Sequence, residues 1–204
     1  MRNLVVIEFL TVDGVMQGLG SPEEDTDGGF IHGGWGAPYA AAIHEAVAQD
    51  DSTDTSAFLF GRRTYEKMAA FWPHQPDDHP MARQLNRTPK YVATRTLTEL
   101  DWRGSVILHG DLQAAVTGLK AAGDGDVAVL GSGDLVQQLM SLDLVDKFRL
   151  FIHPLLLGAG KRLFRELDTP RRLHLTASGT TSLGTVVLGY DVLRQRQDPA
   201  GLPG

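Results

Sequence analysis

The sequence contains no cysteine, which excludes disulfides, thiolate nucleophiles and cysteine-ligated zinc and suits a reducing compartment, so the cytoplasm is the expected location. No apolar run reaches the roughly 18 residues of a membrane span. The apolar stretch near the N-terminus is interrupted at Glu8 and has no small-residue cleavage site, so it reads as a first strand rather than an export signal. Basic residues are in deficit: 19 Lys and Arg against 25 Asp and Glu give a formal charge of −6. There is no global basic field for a nucleic acid or an anionic membrane, and any phosphate recognition must be local. The Rossmann fingerprint is also missing, because no third glycine follows GSGDLV and Phe151 and Ile152 stand about 20 residues on, where an acid is needed.

What is present is a chain of 204 residues, 42% apolar, long enough for one well-packed domain, expected over 1–194 with a loose tail at 195–204. Residues 4–9, 57–60, 89–94, 105–108, 126–130, 147–153, 172–178 and 184–193 read as strands, the last two as a hairpin. Helices are expected from Pro38, from Arg62 to just before Pro73, after Asp111, and after GSG. Tyr39, Ala42, Ile43, Ala46 and Val47 lie on the buried face of the first, which the 50–56 cluster ends. The proline-punctuated 73–88 stretch reads as a loop, and residues 11–36, rich in glycine and acid, form a loop far longer than a strand-to-helix joint needs. This pattern predicts a mostly parallel sheet of eight strands, helices on both faces and an antiparallel edge.

Two strand-to-helix corners carry the chemistry. At AFLFGRRTYE, Gly61 allows close backbone approach, Arg62 and Arg63 offer guanidinium forks matched to phosphate, and the Thr64 hydroxyl enters the first helical turn. At DVAVLGSGDLV, Ser132 can cap the helix while the amides of Gly131 to Asp134 form a nest for a diphosphate. Taken singly, each corner is also an ordinary turn. Thr94, Arg95 and Thr96 follow the third strand, and because parallel strands gather their carboxyl ends on one rim, the three segments are expected to converge.

The order of segments TVDGVMQGLGSPEEDTDGGFIHGGW, LFGRRTYE with FWP, NRTPKYVATRTL, VLGSGDLVQQLM and LVDKFRLFIHPLLLGAGKRLF resembles the dihydrofolate reductase superfamily, most closely the reductase domain of bacterial riboflavin biosynthesis. The resemblance implies a three-layer α/β/α fold and NADPH as hydride donor. It implies that Gly61, Arg62 and Thr64 bind phosphates and that Thr94 and Arg95 bind the 2′-phosphate. Gly131, Ser132, Gly133, Asp134 and Leu135 would bind the pyrophosphate, and Phe9, Val12, Gly14 and Met16 would line the nicotinamide under a closing acidic loop. The substrate it implies is a pterin- or pyrimidine-like ring, and the assembly a homodimer through the C-terminal strands. A non-catalytic NADP(H)-binding module that senses or docks is the alternative.

Dihydrofolate reductases carry a carboxylate on the first helix, where the acid here is Glu45; its helical phase sets it opposite the apolar face, as for a surface acid. Asp13 is the other candidate proton donor, or else an Asp-Gly turn residue. Trp35 and His32 either contact substrate or anchor the loop. Lys161, with Arg162, either receives an anionic substrate or is a surface cation. His153 before Pro154 reads as a strand end. His74 and His79 flank Asp77 and Asp78, a grouping that either ligates a metal or marks a solvated, proline-rich loop, and no metal is expected.

Overall fold

The structure, a computed structural model, describes residues 1–48, 54–167 and 169–194. The 195–204 tail and most of the 50–56 cluster lie outside them, as do the side chains of Ala46 and Val47. Eight strands form one sheet: β1 (Asn3–Thr11), β2 (Thr55–Gly61), β3 (Lys90–Ala93), β4 (Ser105–Leu108), β5 (Asp126–Leu130), β6 (Lys147–His153), β7 (Arg172–Thr180) and β8 (Val186–Leu193). Their order is β4-β3-β2-β5-β1-β6-β8-β7. The first six are mutually parallel, and β6, β8 and β7 pair antiparallel.

Among the described residues five α-helices connect and cover the sheet: α1 (Ala40–Ala48), α2 (Arg62–Phe71), α3 (Pro80–Arg87), α4 (Leu112–Ala121) and α5 (Gly133–Ser141). Successive strand residues point to opposite faces, so Leu4, Val6 and Leu10 of β1 pack with Val116 of α4 and Leu139 of α5. On the other face Phe58 and Phe60 pack with Tyr65 of α2 and Leu85 of α3. This is the expected three-layer α/β/α arrangement.

Helix α3 corrects the loop expected at 73–88. Pro80 occupies its first turn, where a missing N–H costs nothing, and His79 Nδ1 accepts the Ala82 N–H at 3.4 Å. The proline that reads as a breaker is here a helix start, and Ala82 and Leu85 are buried. Strand β7 closes the sheet with all nine residues exposed and a register shift between Leu175 and Ala177, a bulge of the kind that blunts free edges.

All six parallel strands end at one rim, with Thr11, Gly61, Ala93, Leu108, Leu130 and His153 as their last residues. Residues 12–36 fold across it. Val15, Phe30 and Trp35 form their own buried cluster beneath the loop. A 3-10 turn at Ala37–Tyr39 then leads directly into α1.

Candidate functional site

The two glycine corners meet. Strands β2 and β5 are neighbours, and the Gly61 N–H donates to Ser132 Oγ at 2.8 Å while that hydroxyl donates to Thr64 Oγ1 at 2.7 Å. Ser132 therefore does not cap α5 as expected. Gly131 (φ 62°) and Ser132 (φ 68°) are both left-handed, which directs the Ser132 hydroxyl across to the other corner instead of into its own helix. A left-handed non-glycine residue costs about 1–2 kcal/mol, and two hydrogen bonds at about 0.5–1.5 kcal/mol each are of the size needed to offset it. A Cβ on Gly61 would lie 2.9 Å from Ser132 Oγ, and one on Gly131 would lie 3.3 Å from the Thr64 methyl. Only glycine permits this approach.

The consequence lies in the helix starts. The first amides of a helix have no internal partner. Helix α3 is capped by His79 and α4 by Asp111, whose Oδ1 accepts the Ala114 N–H at 2.9 Å. Helices α2 and α5 have no side-chain cap among the described residues. Two uncapped helix starts thus stand side by side at the middle of the rim, where backbone N–H groups and helix dipoles favour an anion.

Thr94 follows β3, the next strand outward. Its Oγ1 accepts the N–H groups of Thr96 (3.2 Å) and Leu97 (3.1 Å), which shapes the turn and leaves Arg95 exposed. Arg62 pairs with Glu66 on its own helix at 3.0 Å, and Asp134 pairs with Arg165 at 2.8 Å. Leu135 is buried behind the corner.

The acidic loop is clasped over this rim. Lys161 Nζ binds Asp25 at 2.7 Å and Asp27 at 2.8 Å, and Arg63 binds Asp27. Burial alone would raise the Asp25 pKa, but the Lys161 hydrogen bond and charge outweigh it and leave the pKa lowered. The Asp27 carboxyl is also held down, first by its Lys161 hydrogen bond and then by Arg63. Lys161 is thus committed to the loop. Met16 reaches α5, where a Cβ on Gly133 would lie 2.9 Å from its Sδ. Val12 is exposed, and Gly14 (φ 78°) turns in open space.

Beyond the corners, β1 and β6 carry an aromatic cluster. Phe9 stacks on Phe151 with ring centroids 4.7 Å apart. His153, opposite Thr11 in register, lies 6.2 Å from Phe9, 5.5 Å from Trp35 and 4.9 Å from Tyr39. Trp35 Nε1 donates to the Gln17 carbonyl at 2.7 Å, so this residue both anchors the loop and walls the cluster. His32 is exposed beside Phe30 and stands apart.

The RibD C-terminal domain model matches residues 2–188. The chain belongs to the RibD C-terminal domain family. An uncharacterized protein of Bacillus subtilis (strain 168), YyaP, is 26% identical over 196 residues, 93% of this chain and 94% of that protein. Among solved structures, a candidate riboflavin biosynthesis protein from Shewanella sp. PV-4 aligns with TM-score 0.66 and 19% identity, over 95% of this chain and 100% of that one. Dihydrofolate reductase from Enterococcus faecalis, complexed with NADP(H), aligns with TM-score 0.59 and 14% identity, over 93% of this chain and 96% of that one. At these identities the structural likeness shows the fold, which is that of dihydrofolate reductase.

In this RibD C-terminal domain the two acids considered as proton donors have other work. Asp13 accepts from Thr11 Oγ1 at 2.6 Å and from the N–H groups of Gly158 (2.8 Å) and Leu157 (3.2 Å). The Thr11 hydroxyl, with those amides, holds its pKa below the usual carboxylate value, so it stays ionised and ties the 157–158 loop to β1. Glu45 accepts from the Ser182 N–H (3.1 Å) and hydroxyl (2.7 Å), joining α1 to the β7–β8 turn. Two buried groups lay beyond sequence reasoning. Glu8 is 4% exposed and burial pushes its pKa up to about 8. His153 is wholly buried, with its pKa pushed down to about 4 by burial. An acid inside an apolar strand and a histidine before Pro154 were the only signals, and neither reveals what packs around them.

Proposed function

We propose that this protein is an NADPH-dependent reductase that delivers a hydride to a small heterocyclic ring of pterin or pyrimidine type. The observation that carries the reading is the pair of uncapped helices, α2 and α5, locked together through Ser132 at the centre of the rim. The residues fit the cofactor: Gly61 and Gly131 allow approach at positions a Cβ would crowd, and a threonine-arginine corner suits a 2′-phosphate where an acid would suit a free ribose hydroxyl. Gly61, Arg62 and Thr64 would hold phosphates, Arg62 exchanging Glu66 for the ligand. Thr94 and Arg95 would hold the 2′-phosphate, and Gly131, Ser132, Gly133, Asp134 and Leu135 the pyrophosphate. Phe9, Val12, Gly14 and Met16 would line the nicotinamide. Bound there, NADPH supplies the hydride. The Lys161 and Arg63 clasp on Asp25 and Asp27 keeps the acidic loop over the rim and water out during transfer. With Asp13 ionised and Glu45 committed to Ser182, solvent supplies the proton.

Thermal unfolding with NADPH and with NADH tests the cofactor. Ligand at 100 times its Kd stabilises by about 2.7 kcal/mol, roughly 5–11 °C for a domain of this size. NADPH is expected to give the larger shift, and Arg62→Ala and Arg95→Ala to weaken NADPH far more than NADH. Equal losses for both would show that these arginines do not read the 2′-phosphate. The commitment of both acids to structural bonds favours the second reading, a binding module without turnover. Absorbance at the nicotinamide band separates the two: oxidation well above the no-enzyme rate with dihydrofolate, pyrimidines or carbonyl compounds excludes the module, and saturable binding with no turnover supports it.

The assembly belongs to the same proposal: a homodimer through β7. Its outer edge is exposed, and Leu173, with Phe164 and Leu167, borders an apolar groove of about 180 Å³ beside it. A monomer in sedimentation at micromolar concentration would refute it.

A further inference from the structure

His153 is wholly buried, yet its Nε2 has no hydrogen-bond partner among the described residues. The other ring nitrogen, Nδ1, shares a 2.9 Å hydrogen bond with the Thr185 hydroxyl. The Thr185 N–H is in turn held by Thr181 Oγ1. The hairpin therefore sets the orientation of the imidazole and leaves Nε2 as its free end. An unpaired polar atom so deeply buried is costly, and a ligand that paired with it would recover that cost.

The surroundings say which kind of ligand. The ring neighbours of His153 are Phe9, Trp35 and Tyr39, whose faces and edges suit a planar ring. Tyr39 is the cover. It is half-buried, it stands in the 3-10 turn before α1, and its hydroxyl reaches the Pro154 carbonyl at 3.5 Å, the outer limit for a hydrogen bond. Trp35, tied to Gln17, is fixed by comparison. A ring bearing a protonated amidine or guanidinium needs a carboxylate to face; Glu8, next to Phe9 in the chain, points to the opposite face of the sheet from His153, and Glu45 and Asp13 are engaged elsewhere, Glu45 on Ser182 and Asp13 on Thr11, Leu157 and Gly158. Among the described residues no carboxylate forms an ion pair or hydrogen bond with His153.

We propose that His153 is a specificity-determining residue whose Nε2 hydrogen-bonds the carbonyl or ring nitrogen of an uncharged planar ring lodged between Phe9 and Tyr39. The inference rests on the reductase reading and narrows its substrate class to neutral rings, excluding cationic pterin-like ones. Tyr39 moves aside to admit the ring, and Thr185 keeps the imidazole aimed at it.

The test uses the full chain labelled with 15N-histidine, with and without NADPH, and two neutral probes, isatin and uracil, beside 2,4-diaminopyrimidine at a pH where that ring is protonated. The His153 Nε2 resonance is assigned by its absence from His153→Gln. A neutral probe is expected to move this resonance saturably and 2,4-diaminopyrimidine to leave it in place. His153→Phe, which keeps a ring and removes the nitrogen, is expected to bind the neutral probe about five- to tenfold more weakly, the size of one hydrogen bond, with an unchanged NADPH thermal shift. An Nε2 resonance unmoved by both neutral probes, or moved equally by the cationic one, would overturn the proposal, as would wild-type probe affinity in His153→Phe. If His153→Phe does not fold, the resonance in the wild-type chain still decides. Failure of NADPH to shift the melting temperature would count against the cofactor reading alone, since the ring probes are also read without NADPH.

Discussion

The rim and the interior beneath it leave polar groups unpaired on very different terms. At the rim, the first amides of α2 and α5 lack side-chain caps among the described residues, whereas those of α3 and α4 have them. An uncapped amide at a solvent-facing helix start is satisfied by water at little cost and remains available to an anion. In the interior, Glu8 Oε1 and His153 Nε2 sit on adjacent strands, on opposite faces of the sheet, without partners among the described residues. There burial shields the groups from bulk solvent, and each responds by resisting its charged form. Availability at the rim comes from local chain geometry; availability in the interior is held against a penalty by everything packed around it.

The largest expected effect is on pH dependence and belongs to the interior. Unfolded, Glu8 releases its proton near pH 4.5, but folded it keeps it to about 8, so its contribution to stability falls as pH rises through that window. His153 runs the other way. The unfolded ring takes a proton near 6.5 while the folded one refuses it to about 4, so its contribution falls as pH drops through that window. Each term has a slope of up to about 1.4 kcal/mol per pH unit. In urea melts the stability of Glu8→Gln relative to wild type should therefore climb from pH 5 to 8, and that of His153→Phe should decline from pH 5 to 6.5. Differences that stay flat with pH would mean both groups are wet, and the contrast with the rim would collapse.

The next effect belongs to the rim. Gly131→Ala should cost about 1–2 kcal/mol, because alanine must adopt φ near 62°, and its methyl would crowd Thr64. NADPH affinity should fall with it, read by thermal shift. The smallest is the control, Asp111→Ala, which removes the cap of α4 for about 1 kcal/mol and should leave NADPH affinity unchanged. A cofactor loss there as large as at Gly131 would show that the capped and uncapped helix starts are not functionally distinct.

Much of this was legible in the chain. The compact apolar runs of β1, β2 and β5, and the glycine punctuation after each, locate the strands and corners within a residue or two. Helix α3 was not legible, because Pro80 reads as a breaker until His79 is seen capping the turn ahead of it. Ser132 was read as a cap for its own helix because cap chemistry is local; its actual partner, the Gly61 N–H, is 71 residues away. Lys161 read as a receiver of an anionic substrate or a surface cation because nothing in GAGKRLF indicates that Asp25 and Asp27 will face it.

The sequence by itself determined the order of the strands and of every helix but α3, the parallel sheet and the three corners on its rim, because periodicity and turn chemistry act over a few residues. Only the tertiary structure decided that Ser132 bridges two helix starts, that Asp13 and Glu45 serve as anchors, and that His153 lies buried among Phe9, Trp35 and Tyr39 with one nitrogen unpaired. Burial and pairing depend on what the rest of the chain brings alongside a residue, and that is settled when the layers pack.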